Sequence, residues 1–245
     1  MRFSEDRMEK LTCSDGKQRN IHIWEPDIPR MVFLTVHGLM DHGGNYILPA
    51  LFFRDQGIAT VAHDQHGHDH QGPDHPGKVI VPRFELLLED LQLMVQWVKD
   101  NYPGLPIFII GHSMGGSAGI LSVAEGAPVD GLVTIAAPAD LFGVWAEHLD
   151  KSWLPGELVV RLLTPFWRRR ARVPFDTLRP DQKVKELTVP VLVIHGTQDK
   201  SVDSSHARIL AEGAGIEPLI LEGAGHNELL GSPEVVAPVL AFLQE

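Results

Sequence analysis

The chain has 245 residues, of which 44% are hydrophobic and 22% charged, a composition typical of one globular domain with or without an insertion. Its formal net charge of −11 argues against nucleic acid and against general attraction to anionic membranes, and its one cysteine, Cys13, excludes an internal disulfide framework. The N-terminal residues form no apolar leader and no run is long enough to span a bilayer, so we expect a soluble cytoplasmic protein.

Short apolar runs alternate with helical patterns along most of the chain. The apolar runs are continuous, as in strands covered on both faces, and they predict strands at 21–24, 31–36, 58–62, 107–110, 132–136, 191–194 and 219–221. Helical patterns predict helices at 44–55, 84–101, 113–125, 203–212 and 233–243. This alternation predicts a mostly parallel sheet flanked by helices, with the ligand site beyond the carboxyl ends of the strands.

The segment 139–184 interrupts the alternation, because it contains no clear strand pattern. It holds three of the five tryptophans, Trp145, Trp153 and Trp167, together with several leucines. Since it follows one strand end and precedes another, we interpret it as a helical lid inserted between two parts of a core, 1–138 and 185–245. A pair of surface helices that only stabilises the core is the alternative.

A short motif at the end of one strand nominates a nucleophile. The sequence Gly-His-Ser-Met-Gly-Gly at 111–116 matches G-x-S-x-G and lies between a predicted strand and a predicted helix. In this context the serine occupies a strained turn, and the flanking glycines remove side chains that would collide across it. An ordinary serine in a glycine-rich turn is the alternative, but the strand–turn–helix context favours Ser113 as a nucleophile.

A serine nucleophile needs a basic histidine, and the histidine needs an orienting acid. In the α/β-hydrolase arrangement the chain order is serine, acid, histidine, and Asp199 and His226 follow the last two predicted strands in that order. Asp140 is a weaker alternative for the acid. His195 competes with His226, but its position inside a strand-end turn favours a structural role, and Asp203 is expected to cap the next helix.

Two backbone N–H groups are predicted to hold the negative oxygen of the reaction intermediate. One belongs to Met114, directly after the nucleophile, and the other to Leu39, in the loop that follows the strand 31–36. Substrate contacts are assigned to the start of this loop and to apolar lid positions, namely His37, Gly38, Trp145, Leu158 and Leu162.

A histidine-rich segment at 63–70 resembles a metal site. His66, His68 and His70 would share one face of a strand, but the segment follows a strand, is typical of a loop and lacks an obvious fixed ligand geometry. We therefore expect it to wall the mouth of the site and assign no metal ligands, with adventitious Zn or Ni binding as the alternative. The basic run 167–172 is interpreted as a solvated lid edge, the alternative being attraction of an anionic lipid or an acidic substrate tail.

Taken together, these motifs resemble the monoacylglycerol lipase family of α/β hydrolases, also called serine-aminopeptidase-like. The matching segments are HGLMDHGGNY at 37–46, HDQHGH at 63–68, DNYPGLP at 100–106, GHSMGG at 111–116 and EGAGH at 222–226. We predict an α/β-hydrolase fold with the helical lid at 139–184. The resemblance implies a triad of Ser113, Asp199 and His226, oxyanion donors at Leu39 and Met114, and ester hydrolysis without a metal or organic cofactor. The chain departs from the family at Met40, where glycine is common, at 69–72, and throughout the lid.

We therefore expect a serine hydrolase that cleaves carboxylic esters, a monoacylglycerol lipase-like carboxylesterase with an apolar acyl pocket and broad chain-length specificity. A thioesterase or an aryl or lactone esterase is the alternative, and a non-catalytic receptor on this fold would carry a damaged triad. Haloalkane dehalogenases and epoxide hydrolases are disfavoured, because they normally have Asp where this chain has Ser113. The expected partner is a small-molecule ester of the acyl-lipid type, with no nucleic acid and no stable membrane insertion, and a homodimer stays open.

Overall fold

The protein is built around one eight-stranded sheet. The computed structural model describes residues 4–68, 84–152, 155–171 and 178–243. The strands are β1 Arg7–Thr12, β2 Gln18–Trp24, β3 Met31–Val36, β4 Ile58–His63, β5 Ile107–His112, β6 Gly131–Ile135, β7 Val191–Gly196 and β8 Leu219–Leu221. Their order is β1-β2-β4-β3-β5-β6-β7-β8. β2 is antiparallel to both of its neighbours, β1 and β4. The six strands from β3 to β8 all run parallel to one another, which confirms the predicted mostly parallel sheet.

Helices pack on both faces of this sheet. They are α1 Ile47–Asp55, α2 Glu85–Asn101, α3 Met114–Ala124, α4 Gly143–Lys151, α5 Gly156–Ala171, α6 Pro180–Lys183, α7 Ser205–Ala214 and α8 Pro233–Phe242, with 3-10 turns at Gly43–Tyr46 and Val184–Glu186. Successive residues of β3 join different cores, because side chains alternate between the faces of a strand. Leu34 packs in the cluster that includes α2, α3 and α7, whereas Phe33 packs in the cluster that includes α1 and α8.

The strand at one edge of the sheet was not predicted. β1 has the sequence RMEKLT, whose residues alternate between half-buried and exposed, so it contains no continuous apolar run. β1 carries three charged residues, Arg7, Glu9 and Lys10, and charged side chains on an edge strand protect the sheet from pairing with another chain. The predicted strands 31–36 and 219–221 coincide with β3, which is buried throughout, and with β8, the half-buried strand at the other edge of the sheet.

The described residues between β6 and β7 form no strand and include the helices α4, α5 and α6. α4 and α5 pack against each other, and their close approach requires Gly156, because a Cβ there would overlap the carbonyl oxygen of Ala146. The end of the segment behaves differently: Leu178 and Val184 are buried in the main core cluster, and Asp181 N donates to Ala139 O at 2.9 Å. The exposed part of the insertion is therefore the α4–α5 pair, which we call the cap. None of the helices in the described ranges combines the length and apolar character needed to cross a membrane.

Candidate active site

The predicted nucleophile lies in a strained turn between β5 and α3. Ser113 has φ 52° and ψ −125°, a backbone conformation that side-chain-bearing residues rarely adopt. Its N–H donates to Ile135 O on β6 at 2.8 Å, which holds the strained residue on the sheet. A Cβ on Gly111 would lie 2.5 Å from Gly116 Cα, and a Cβ on Gly115 would overlap the carbonyl oxygen of Val36. The turn can therefore form only with glycine at both positions, as the G-x-S-x-G motif predicts.

The predicted base and acid are in direct contact. His226 Nδ1 donates to Asp199 Oδ2 at 2.6 Å, although the two residues come from loops after different strands. The other carboxylate oxygen of Asp199 accepts from the N–H groups of Ser201 and Val202 at 2.8 and 2.9 Å. Burial raises the pKa of the Asp199 carboxyl. Hydrogen bonds from His195, His226 and the Val202 N–H lower that pKa by more than burial raises it, so the net pKa lies below its usual range. An ionised carboxylate can only accept, so this contact favours the tautomer of His226 that carries its proton on Nδ1 and faces Asp199 with it.

The loop that carries His226 is fixed beside Ser113. His112, the residue directly before the nucleophile, donates from Nε2 to His226 O at 3.0 Å, and the two imidazole rings lie 4.8 Å apart. Burial, followed by the charge of His226, lowers the pKa of His112 to about 4, so this ring is a neutral tether at neutral pH. Within the described part of the chain, the Ser113 hydroxyl makes no hydrogen bond to His226. In serine hydrolases that bond often tightens only when substrate is bound.

His195 supports the acid rather than replacing the base. Its Nε2 donates to Val202 O at 3.0 Å and lies 3.2 Å from Asp199 Oδ2, and the ring is fully buried. The predicted structural role therefore agrees with the geometry, and the contact with Asp199 adds a detail that the sequence did not indicate. Asp140 is occupied elsewhere, since its Oδ1 accepts from Phe142 N at 2.9 Å. Asp203 behaves as a cap, because its Oδ1 accepts from Ser205 N at the start of α7 at 2.9 Å.

The loop after β3 approaches the nucleophile closely. A Cβ on Gly38 would lie 3.1 Å from Ser113 Cβ, so the backbone there passes directly over the serine. The next residue, Leu39, has a half-exposed side chain, and Met40 adopts a left-handed φ of 63°. Met114 begins α3, and the first N–H groups of a helix have no acceptor within the helix itself. The two predicted oxyanion donors therefore belong to backbone segments that flank Ser113.

His37 anchors this loop through a buried ring. Its Nδ1 donates to Gly38 O at 2.8 Å, and its Nε2 accepts from Gln65 N at 2.9 Å. Burial lowers the pKa of His37 well below its usual range, so the ring is neutral and both nitrogens are used. The imidazole thus positions the loop, and a substrate contact at His37 would have to use its backbone.

The predicted apolar contacts of the cap lie at its surface. Trp145 is 61% exposed, Leu158 55% and Leu162 70%, whereas the side chains of Trp153 and Trp167 lie outside the described residues. The cap is tied to the core by His206, which accepts from Ala139 N and contacts Glu147 Oε1, each at 3.0 Å. An attached pair of helices with exposed apolar side chains is compatible with a role in substrate binding, which stays a prediction.

The described part of the histidine-rich segment, residues 63–68, leaves β4 in a turn, and the rings of His66 and His68 have separate partners. His66 Nδ1 lies 3.0 Å from Arg19 Nη2, and His68 Nδ1 donates to His66 O at 3.0 Å. His68 also packs edge-on against His37, with ring centroids 4.9 Å apart. His70 lies outside the described residues. The shared strand face that would make His66 and His68 ligands of one metal is therefore not formed.

The chain is similar in sequence to known hydrolases and lipases. A family model described as serine aminopeptidase, S33 (Hydrolase_4) matches residues 27–172, which is more than half of the chain. Monoglyceride lipase from Homo sapiens is 28% identical over 264 residues, covering 94% of this chain and 86% of that protein. Monoacylglycerol lipase from Mycolicibacterium smegmatis is 28% identical over 272 residues, covering 94% of each chain.

The solved structures show the fold. A thermostable carboxyl esterase from Bacillus coagulans, determined in complex with glycerol, superposes with a TM-score of 0.75 at 18% identity and covers 97% of both chains. An esterase from Pyrococcus furiosus superposes with a TM-score of 0.73 at 20% identity. The sheet with its flanking helices is therefore an α/β-hydrolase fold, as the sequence motifs implied.

Proposed function

The chain belongs to the serine aminopeptidase S33 family of α/β hydrolases, and from this premise we propose that Ser113, His226 and Asp199 form the catalytic triad of a carboxylic ester hydrolase. The observation that carries the proposal is the 2.6 Å hydrogen bond between His226 Nδ1 and Asp199 Oδ2. The strained backbone of Ser113, at the junction of β5 and α3, supports its role as nucleophile.

The reaction has two halves. His226 Nε2 removes the proton of the Ser113 hydroxyl as its oxygen attacks the ester carbonyl carbon, and Asp199 stabilises the imidazolium that forms. The N–H groups of Leu39 and Met114 donate to the negative oxygen of the tetrahedral intermediate. The carbon–oxygen bond to the alcohol then breaks, and His226 returns its proton to the departing alcohol.

Water completes the cycle. His226 Nε2 takes a proton from the water as its oxygen attacks the acyl-serine carbonyl, and the same two N–H groups hold the second intermediate. When this intermediate collapses, the proton returns to Ser113 and the carboxylic acid leaves. No redox step is needed, so the chemistry requires only the residues named here and water.

The proposed substrate is a monoacylglycerol or a similar ester with an apolar acyl chain. Two features support this choice: the curated relatives at 28% identity are monoglyceride and monoacylglycerol lipases, and the cap displays Trp145, Leu158 and Leu162. An apolar pocket distinguishes chain lengths by only about 1–3 kcal/mol per methylene, so the enzyme accepts a range of acyl groups.

The test compares hydrolysis of monoacylglycerols, p-nitrophenyl esters and acyl-CoA thioesters, together with labelling by a fluorophosphonate probe. We expect ester hydrolysis and labelling in the natural chain, and loss of both in Ser113→Ala. The matched control is Ser152→Ala, because Ser152 is an exposed cap serine whose hydroxyl only donates to His148 O. Labelling that survives in Ser113→Ala would overturn the triad, whereas a preference for acyl-CoA would overturn the substrate class alone.

A further inference from the structure

A second cluster of ligand-type side chains lies outside the triad. His22 on β2, His42 in the loop after β3 and Asp64 at the end of β4 each offer one ligand atom, and these three atoms all lie within 4.8 Å of one another. His22 and Asp64 are buried, and His42 is partly exposed. The site is thus formed inside the protein and can be reached from solvent.

Within the cluster, His22 and Asp64 are already in contact. His22 Nε2 lies 3.2 Å from Asp64 Oδ1, and its other nitrogen, Nδ1, donates to Glu5 Oε1 at 2.7 Å. A carboxylate that receives the second N–H of a histidine is the usual support of a metal-binding imidazole, because it fixes the ring and directs the free nitrogen at the metal.

The carboxylate of Asp64 is fixed by donors from two directions. Its Oδ1 accepts from Gly43 N and its Oδ2 from Asn20 Nδ2, each at 3.0 Å. A carboxylate held in this way keeps its position when a cation replaces the proton between it and His22, because each oxygen retains a protein donor.

Two glycines leave room for the two imidazoles. A Cβ on Gly44 would lie 3.0 Å from His42 Cε1 and 3.4 Å from His22 Cε1, so both rings converge on that position. A Cβ on Gly43 would lie 2.8 Å from His22 Cδ2. Side chains at either position would separate the rings, whereas the Gly43–Gly44 pair lets them approach within 6.5 Å between centroids.

We propose that His22, His42 and Asp64 bind one divalent transition-metal ion of the Zn²⁺ class, with Glu5 positioning His22. Two imidazoles and one carboxylate are a common donor set for zinc, and water can fill the fourth position. Ligand atoms around one tetrahedral zinc are about 3.3 Å apart. The distance of 3.2 Å between His22 Nε2 and Asp64 Oδ1 already fits. The ligand atom of His42, which lies within 4.8 Å of the other two, moves closer to them when the ion binds.

The metal would link three segments of the fold. His42 lies three residues after Leu39, so a bound ion ties the loop that carries this oxyanion donor to β2 and β4. We expect the backbone amides of this loop, residues 38–43, to exchange their hydrogens more slowly when the metal is bound. This consequence can be measured without any assay of ester hydrolysis.

The test uses the full chain without an affinity tag, stripped of metal with a chelator. Zn²⁺ is titrated against a competing chromophoric chelator, and Co²⁺ is added separately to record the visible absorption of a tetrahedral site. We expect one equivalent bound, affinity reduced about tenfold or more in His42→Ala, and affinity reduced by roughly 10–100-fold in Glu5→Gln, which removes only the support of His22.

His148→Ala is the matched control, since His148 lies on the exposed cap and its ring donates to the carbonyl oxygen of Val144 within the same helix. It should bind Zn²⁺ as the natural chain does. Circular dichroism shows whether each variant is folded, and His42→Gln replaces His42→Ala if the latter is not. Equal affinity in the natural chain and both His42 variants would overturn the site, as would no binding at equimolar Zn²⁺, which would leave His22–Asp64 as an ion pair only.

Discussion

The turn around Ser113 and the cap are packed in opposite ways. Around Ser113, every neighbouring residue from Gly111 to Ala118 except the serine itself is buried, and added methyl groups on the glycines would overlap the backbone of β3 or α3. In the cap, none of the residues of α4 is buried, and α5 exposes Leu158, Leu162 and Phe166. Tight packing allows one geometry for the reacting serine, whereas a loosely packed surface can change without disturbing it. The proposed chemistry thus resides in the former region and the substrate preference in the latter.

The largest expected effect concerns the acid that orients His226. We expect Asp199→Asn to lower kcat for ester hydrolysis by about 10⁴-fold, because an amide no longer stabilises the imidazolium and can select the wrong tautomer of His226. Steady-state kinetics on one p-nitrophenyl ester measures this loss. Asp140→Asn is the control, since Asp140 was the alternative acid and its carboxylate accepts from Phe142 N, a local contact away from His226 in the chain. A kcat within tenfold of the natural enzyme would show that the triad uses another acid.

The next effect tests how tightly the Ser113 turn is packed. We expect Gly115→Ala to lower the free energy of unfolding by about 3 kcal/mol, because the new Cβ overlaps the carbonyl oxygen of Val36. Urea denaturation followed by tryptophan fluorescence gives the value. Gly119→Ala in the same helix is the control, as its Cβ would meet only movable side-chain ends, Leu132 Cδ1 at 3.0 Å and Ile109 Cγ2 at 3.2 Å. Equal losses in the two variants would contradict a specific steric limit at Gly115.

The smallest effect on stability is expected in the cap. Leu162 is exposed, so Leu162→Ser should change the free energy of unfolding by no more than about 0.5 kcal/mol. If Leu162 contacts the acyl chain, the same change raises KM for a long-chain ester by roughly tenfold and leaves KM for an acetate ester unaltered. Ile28→Ser controls for a general loss of surface hydrophobicity, because Ile28 is exposed outside the cap. A KM that is the same for Leu162→Ser and Ile28→Ser would remove Leu162 from the substrate site.

The strands that could be predicted are those with a continuous apolar run. β3, in which every residue is buried, begins and ends where its apolar run does, because a continuous apolar run is the pattern that burial on both sides demands. β8 lies at one edge of the sheet and is half-buried, but its three residues are all apolar and it was predicted as well. β1 escaped prediction because it lies at the other edge, where every second side chain meets solvent and charged residues are tolerated. Local patterns therefore identified the strands with continuous apolar runs and missed the strand in which polar and apolar residues mix.

Contacts between segments far apart in the chain are the part of the candidate site that could not be predicted from the sequence. The motif nominated Ser113, and its chain order nominated Asp199 and His226, but nothing in the sequence near His112 indicates that its ring holds the carbonyl of His226, 114 positions away. His195 likewise contacts Asp199 only because the turn after β7 folds back. No local sequence pattern predicts these contacts of His112 and His195, because each contact depends on how two loops meet in the folded chain.

The sequence by itself determined the fold class, the predicted nucleophile and the order of its partners, because strand periodicity and the glycines of a strained turn are local requirements. Only the tertiary structure decided which side chains support the site: His112 beside His226, His195 beside Asp199, and His37 beneath the oxyanion loop. It also brought together the cluster of His22, His42 and Asp64, whose members come from three separate segments. The physical reason is that the parallel sheet gathers strand ends from across the chain along one edge, and no local pattern records which loops meet there.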